Sequence, residues 1–204
     1  MDPHAITTLE QLRDVYREPA ERAVLKEHDR LDEHCRDFIA RSPFALLASA
    51  NAHGECDVSP KGGPAGFVRV LDDRRLLIPD ATGNRRLDSF QNMLENPWVG
   101  LLFLIPGLGE TLRVNGRATL TRDPALIDGS ATGGHPAKLG VVVAVNQAYL
   151  HCAKALIRSH LWDPETWPAE DELPSAAEIL SDHIGLNDLA ASAAALADSY
   201  TNRL

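Results

Sequence analysis

Two helical patterns open the chain, ahead of any pattern typical of strands. Thr7-Thr8 followed by Glu10-Gln11 resembles a capping signal and predicts a short polar helix that ends near Tyr16. From about residue 19 to residue 39, apolar positions recur at loosely helical spacing with dense charges between them. This spacing predicts one amphipathic helix. The helical part ends at Arg41-Ser-Pro43, because proline disfavours helical geometry at the residue before it.

The pattern then changes to short apolar runs separated by turn residues. Strands are expected over residues 44–49, 56–58, 66–71, 75–78, 98–105, 111–121 and 139–149. One short amphipathic helix, over residues 85–95, is expected among them because Leu87, Phe90 and Leu94 share a face. The alternation of strand and helix typical of a parallel sheet is missing. The pattern therefore predicts a mainly β fold with some α, built as an antiparallel barrel or sandwich.

Helical patterns return after Cys152. They cover residues 154–159, 176–183 and 187–200, with an acidic, proline-punctuated loop between the first two. The expected organisation is an N-terminal helical segment over residues 1–42, a barrel over 43–162 and a C-terminal helical extension over 163–204. We expect these parts to form a single compact domain.

Composition excludes several classes of function. The 204 residues carry a formal net charge of −9, and no basic stripe offsets it, which argues against a nucleic-acid partner. No apolar run is long enough to span a bilayer and no signal-peptide pattern is present, so a cytoplasmic protein without membrane partners is expected. The three cysteines form no C-x-x-C pair and the eight histidines no H-x-x-x-H, so no metal site is expected.

Basic and hydroxyl side chains gather at two points of the predicted barrel. Lys61 stands at the end of one strand, and Asn84-Arg85-Arg86 and Ser89 stand where a glycine turn runs into a helix. Lysine supplies a point charge and arginine a planar fork, and a helix N-terminus adds free backbone N–H groups. The set predicts a site for a phosphate monoester dianion, and therefore a small phosphorylated ligand.

Simpler readings of the same residues stay open. Arg85 and Arg86 could form a solvated first helical turn, although cations there oppose the helix dipole, and Asn84 could only cap that helix. Ser59-Pro60-Lys61-Gly62 could be a turn leaving a strand, or glycine could let the backbone approach a planar ring closely. The pair His151-Cys152 is not a catalytic dyad, because adjacent residues of a strand point to opposite faces.

The order of these motifs resembles the pyridoxamine 5′-phosphate oxidase family. The resemblance covers residues 44–123 and includes Asn96-Pro-Trp-Val-Gly and Arg113-Val-Asn-Gly-Arg-Ala118. Ser-Pro-Lys-Gly, Pro-Asp-x-x-Gly-Asn and Leu-Asp-Ser resemble a branch distinct from the vitamin B6 oxidases proper. Cys152-Ala-Lys-Ala-Leu-Ile-Arg-Ser159 followed by Leu161-Trp162 also resembles that branch.

The resemblance implies an FMN-binding split barrel that works as a homodimer, with FMN at the subunit interface. Lys61 matches a lysine beside the flavin ring or phosphate, and Asn84, Arg85 and Arg86 match a phosphate-gripping triplet. Thr111 matches a glutamine that reaches the flavin of the neighbouring subunit. The residues expected to contact the cofactor are Ser59, Pro60, Lys61, Gly62, Asn84, Arg85, Arg86, Ser89, Thr111, Arg158, Ser159 and Trp162. Without the resemblance, the last three equally fit the polar face of a helix and a core anchor.

Two departures from the family's sequence pattern bear on which substrate the chain could accept. Cys56 occupies the place of a phosphate-binding arginine, and the C-terminal Arg-x-His substrate signature is missing. The resemblance therefore implies FMN but not pyridoxamine phosphate, and the expected function is oxidoreduction of an unknown small molecule. The alternative is a non-catalytic flavin or haem carrier on the same barrel. A small hydrolase is a weaker reading, because no Ser–His–Asp set stands out.

Overall fold

Nine strands account for the β structure in a computed structural model that describes residues 2, 4–81, 83–132, 135–185 and 188–202. They are β1 (Phe44–Ala50), β2 (Cys56–Gly62), β3 (Arg69–Asp72), β4 (Arg75–Pro79), β5 (Trp98–Leu104), β6 (Thr111–Thr121), β7 (Ala131–Thr132), β8 (His135–Pro136) and β9 (Gly140–His151). Seven form one antiparallel sheet in the order β2-β1-β5-β6-β9-β4-β3, and β7 pairs with β8.

Alternating burial along the central strands places the core on one side of this sheet. In β1 and β5, every second residue is buried. The largest buried side chains include Leu47, Leu101, Phe103 and Val143. The sheet curls so that residues of its edge strand β2 and residues that follow β4 line one cavity. The fold is the mainly β split barrel with outer helices that the sequence predicted.

Along the chain, the described helices precede the barrel strands, lie between them or follow them. They are α1 (Leu9–Tyr16), α2 (Glu21–Leu25), α3 (Glu33–Arg41), α4 (Asp88–Glu95), α5 (Pro124–Ile127), α6 (Lys154–Arg158), α7 (Ala176–Ile184) and α8 (Leu189–Asn202). Two short 3-10 helices, Pro164–Thr166 and Glu170–Glu172, lie in the acidic loop. None of the described helices is long and apolar enough to cross a membrane. The predicted start of the last helix, residue 187, lies outside the described residues.

The capping signal at the N-terminus is confirmed, but the single helix expected over residues 19–39 is wrong. The Thr8 side chain accepts a hydrogen bond from the backbone N–H of Gln11, which begins α1. The second helical pattern is broken into α2 and α3. Between them His28 pairs with Ala148 of β9, and the buried Leu31 donates its N–H to Asp73. These bonds to the barrel replace the bonds of a continuous helix.

The helix expected over residues 85–95 begins three residues later, at Asp88. Arg85 and Leu87 both have positive φ angles, 63° and 61°. A right-handed α-helix requires negative φ, so neither residue can belong to the helix. The Asn84 side chain accepts from the N–H of Arg86 at 3.0 Å and so closes a tight turn ahead of the helix. Asn84 therefore caps this turn and not the helix, and the basic pair is not a first helical turn.

Candidate functional site

A cavity opens at the seam between the edge strand β2 and the segment that connects β4 to α4. Its volume is about 810 Å³. Its lining includes residues 57–61, 80–81, 83–90 and 136–138 and Asn202. We call this space the main cavity. Four cationic residues and three acidic residues line it, so it carries excess positive charge on an acidic chain.

Most of the expected cofactor residues meet in this cavity. Those that line it are Ser59, Pro60, Lys61, Asn84, Arg85, Arg86 and Ser89. The tight turn before α4 holds the basic pair there, since the Gln91 side chain also donates to the backbone oxygen of Arg86 at 2.9 Å. Ser89 is buried, in the first turn of α4. Residues that lie in two separate sequence motifs therefore share one wall.

Arg86 is engaged by a carboxylate within the same cavity. Its Nε donates to Oδ2 of Asp88 at 2.8 Å, and its side chain is 72% exposed. The hydrogen bond to Asp88 raises the pKa of Arg86. An anion that enters the cavity would therefore compete with Asp88 for this guanidinium.

Lys61 and Asp80 both line the main cavity, and their opposite charges interact. Burial lowers the pKa of Lys61, and the nearby Asp80 opposes that shift. Burial also raises the pKa of Asp80, against the effect of a backbone hydrogen bond from Ala81 and the charges of Lys61 and Lys138. Both shifts have the same cause: the charged groups have lost part of their hydration. The pair thus forms the less hydrated part of the site, in contrast to Arg86.

A second carboxylate of the cavity is already held by the protein. The Asn92 side chain, buried in α4, donates to Oδ2 of Asp57 at 2.8 Å and to the hydroxyl of Ser49 at 3.1 Å. These bonds tie α4 to β1 and β2. They fix the helix whose N-terminal end borders the main cavity.

The other expected cofactor residues lie outside the main cavity. Gly62 ends β2, and Thr111 begins β6, where it is only 2% exposed. Arg158 and Ser159 are exposed at the end of α6. Trp162 lines a smaller hollow of about 280 Å³ and donates from its indole N–H to the backbone oxygen of Leu108 at 2.8 Å. Their roles toward a cofactor stay predictions.

The sequence reasoning missed several residues of the cavity wall. Asp57 and Asp80 lie within the two motifs that contain Lys61 and Asn84, a few residues before each of them. This proximity in sequence is the signal from which both acidic residues could have been predicted. Lys138 follows the short strand β8, which was not predicted, and Asn202 ends α8. No local pattern marked these last two.

Comparison with known proteins identifies the family. A family model described as pyridoxamine 5′-phosphate oxidase matches residues 31–152. The chain belongs to the pyridoxamine 5′-phosphate oxidase family. The match confirms the resemblance drawn from the motifs and extends beyond residues 44–123, where most of those motifs lie. No curated protein matches the chain.

Two solved structures illustrate the likeness. HupZ from Group A Streptococcus is 19% identical, with a TM-score of 0.47, over 58% of this chain and 92% of that one. A putative pyridoxamine 5′-phosphate oxidase from Lactobacillus delbrueckii is 21% identical, with a TM-score of 0.46, over 60% of this chain and 95% of that one.

Proposed function

We propose that this member of the pyridoxamine 5′-phosphate oxidase family binds FMN in the main cavity and acts as an oxidoreductase on a small molecule. The observation that carries the proposal is the meeting of Lys61, the Asn84–Arg86 turn and Ser89 in one cavity. In this reading the turn and Ser89 hold the phosphate, while Ser59, Pro60 and Lys61 lie along the ring.

The donors of this wall fit a phosphate monoester. Arg85 and Arg86 offer planar forks that match phosphate oxygens, and Ser89 offers a hydroxyl within reach of the same helix end. FMN would supply the electron-transfer chemistry. The protein would contribute binding and charge: the ammonium of Lys61, partly stripped of water, would stabilise negative charge at the N1/O2 edge of the ring.

The rest of the proposed cofactor site requires a second subunit. We propose a cytoplasmic homodimer in which Thr111 reaches the flavin of the neighbouring subunit. Gly62, Arg158, Ser159 and Trp162 complete the expected contacts. The division of the chain at residues 42 and 162 belongs to the same proposal, with the barrel as the cofactor-binding part.

Release of the bound molecule tests the proposal. The purified protein is denatured, and the supernatant is analysed by chromatography and absorption. FMN at close to one equivalent per chain is the expected result, and apoprotein should regain it on titration. Neither release nor uptake of FMN would refute the proposal. Haem, recognised by its own absorption bands, would support the carrier alternative instead.

Turnover separates an enzyme from a carrier. The flavin-loaded protein is mixed anaerobically with a nicotinamide donor, or with another two-electron donor, and is then exposed to an acceptor. An oxidoreductase should pass through many cycles of flavin bleaching and recovery. A protein that binds FMN but is never reduced at a useful rate would keep the binding half of the proposal and lose the catalytic half.

A further inference from the structure

Three charged side chains of the main cavity alternate in sign. Lys61 lies at the end of β2, Asp80 directly follows β4, and Lys138 lies just before β9. The charge of Asp80 acts on Lys61, and the charges of Lys61 and Lys138 both act on Asp80. Asp80 is therefore the common partner of two lysines that come from different parts of the wall. We call Lys61, Asp80 and Lys138 the alternating cluster.

Strand pairing fixes the position of Asp80 beside Lys138. The backbone N–H of Asp80 donates to the carbonyl oxygen of Leu139 at 2.9 Å. The preceding residue, Pro79, is paired with Gly140 of β9. Asp80 thus continues the pairing of β4 with β9 by one residue, and its place in the cavity wall follows from the register of that pair.

Asp80 differs from the other two acidic residues that line the main cavity. The Asp57 carboxylate accepts a hydrogen bond from Asn92, and the Asp88 carboxylate is paired with Arg86. Within the described part of the chain, no side chain donates to the carboxylate of Asp80. Asp80 therefore keeps the acceptor capacity that the other two carboxylates have already used.

The alternating cluster is open, because its opposite charges do not close on one another. Among the described residues, neither Lys61 nor Lys138 forms an ion pair. Asp80 is half-buried and receives a hydrogen bond from the backbone N–H of Ala81. A half-buried carboxylate loses hydration, and it also repels the phosphate of an anionic ligand. A hydrogen-bond donor on the ligand would offset this cost.

The pyrimidine edge of a flavin ring presents the complementary order of polar groups. The carbonyl oxygens on C2 and C4 are acceptors, and the N–H at N3 between them is a donor. Lysine offers only donors, whereas a carboxylate offers only acceptors. The alternating cluster therefore matches this cyclic imide edge group by group.

We propose that Asp80 selects the flavin ring by accepting a hydrogen bond from its N3–H, while Lys61 and Lys138 donate to the flanking carbonyl oxygens. The inference rests on the proposed binding of FMN in the main cavity and adds the residues that recognise the ring. It agrees with the position of Lys61 at the N1/O2 edge, since O2 is attached to the carbon between N1 and N3. Haem offers a carboxylate no N–H donor, so the cluster favours FMN over the haem-carrier alternative.

FMN methylated at N3 is a suitable probe, because it lacks the donor and keeps the phosphate. Each flavin is titrated into apoprotein and followed by fluorescence. The wild type should bind FMN on the order of tenfold or more tightly than 3-methyl-FMN, as loss of a charge-assisted hydrogen bond would give. Asp80→Leu, which conserves size but removes the acceptor, should abolish this preference. The ratio of the two dissociation constants is the readout, since the effect of the lost charge on the phosphate cancels in it.

Asp57→Asn is the matched control. It removes an equal charge from the same cavity, but from a carboxylate that Asn92 already holds, so the preference for FMN should remain. Asp80→Asn keeps an acceptor oxygen and should retain part of the preference. Thermal unfolding identifies a misfolded Asp80→Leu, and Asp80→Ala then replaces it with the same expected result.

The outcomes separate this inference from the proposed function. Equal binding of the two flavins by the wild type, or an undiminished preference in Asp80→Leu, would overturn the inference and leave FMN binding intact. Failure of the wild type to bind FMN would overturn both. Lys138→Gln should weaken FMN and riboflavin alike, because Lys138 is assigned to the ring. A loss confined to FMN would assign Lys138 to the phosphate and overturn its part in the cluster.

Discussion

Arg86 and Lys61 differ in their exposure to water, and this difference separates their expected roles. Arg86 is largely exposed at the mouth of the main cavity, whereas Lys61 is half-buried and its pKa is lowered by burial. A guanidinium at the mouth suits a charged group that remains partly hydrated. A desolvated ammonium suits a ring edge on which charge develops. The two residues should therefore discriminate between FMN and riboflavin differently.

Arg86→Ala should weaken FMN by about ten- to 150-fold and leave riboflavin nearly unchanged, because riboflavin has no phosphate. If Lys61 lies beside the ring, Lys61→Ala should weaken the binding of both FMN and riboflavin or shift the reduction potential of the flavin. Fluorescence titration of both apoproteins with both flavins measures these effects. Arg41→Ala is the control, since Arg41 forms a similar exposed ion pair, with Asp37, and does not line the main cavity. Equal losses of FMN and riboflavin in Arg86→Ala would remove Arg86 from the phosphate site.

Asp88→Asn should have the opposite effect on FMN. The change frees Arg86 from its 2.8 Å ion pair and removes a negative charge from the proposed phosphate site. FMN should bind about two- to fivefold more tightly, the range of an exposed ion pair, while riboflavin stays unchanged. Asp37→Asn removes the equivalent partner of Arg41 and should change neither affinity. Weaker FMN binding in Asp88→Asn would mean that Asp88 orders Arg86 for the phosphate and does not compete with it.

At the scale of elements, one glycine determines how β6 and β9 pair. The register of this pair shifts between Asn115 and Gly116. A Cβ at Gly116 would collide with the backbone oxygen of Ala144 and lie 2.9 Å from a methyl of Val143. The close approach of the two backbones at this irregularity therefore requires glycine, in the strand pair that forms the centre of the barrel.

Gly116→Ala should lower the free energy of unfolding by about 1–3 kcal/mol, because the backbone of β9 must move. Urea unfolding followed by circular dichroism measures the change. Gly62→Ala is the matched control: there a Cβ would meet only Pro43 O at 3.6 Å and Phe44 at 3.8 Å, which are ordinary contacts. The same stability loss in both variants would show that glycine is not specifically required at the irregularity.

The elements that the sequence predicted well are those with a strong local pattern. The seven strands of the main sheet and the capping box of α1 are examples, because alternation and capping are read within a few residues. The break between α2 and α3 was not predicted, since the pairing of His28 with Ala148 joins residues that are far apart in the chain. The late start of α4 depends on two non-glycine residues with positive φ, Arg85 and Leu87. Residue type rarely signals that geometry.

The same difference between local patterns and contacts of distant residues explains which residues of the candidate site could be predicted. The basic turn and Lys61 came from contiguous motifs, so sequence order was enough to group them. Lys138 and Asn202 join the cavity wall only through the way the chain folds over it.

At the scale of the whole molecule, α1 shows that the described chain leaves apolar surface uncovered. The helix has eight residues, none of them buried. Its exposed apolar side chains are Leu9, Leu12, Val15 and Tyr16. A helix this short is marginal in water without packing, even with a good cap. A second subunit that covers this side would stabilise it, which agrees with the homodimer that the cofactor proposal requires.

Light scattering on the purified protein should therefore give the mass of a dimer at micromolar concentration. Val15→Glu should raise the dimer dissociation constant by about tenfold or more, because a charge would be buried where a valine packs. Leu173→Glu, which alters a comparably exposed apolar residue of the acidic loop, should leave the dimer dissociation constant unchanged. If the cofactor lies between subunits, flavin occupancy should fall with dimer content in the first variant only. A stable wild-type monomer with full flavin occupancy would contradict the dimer and, with it, the assignment of Thr111 to the neighbouring subunit's site.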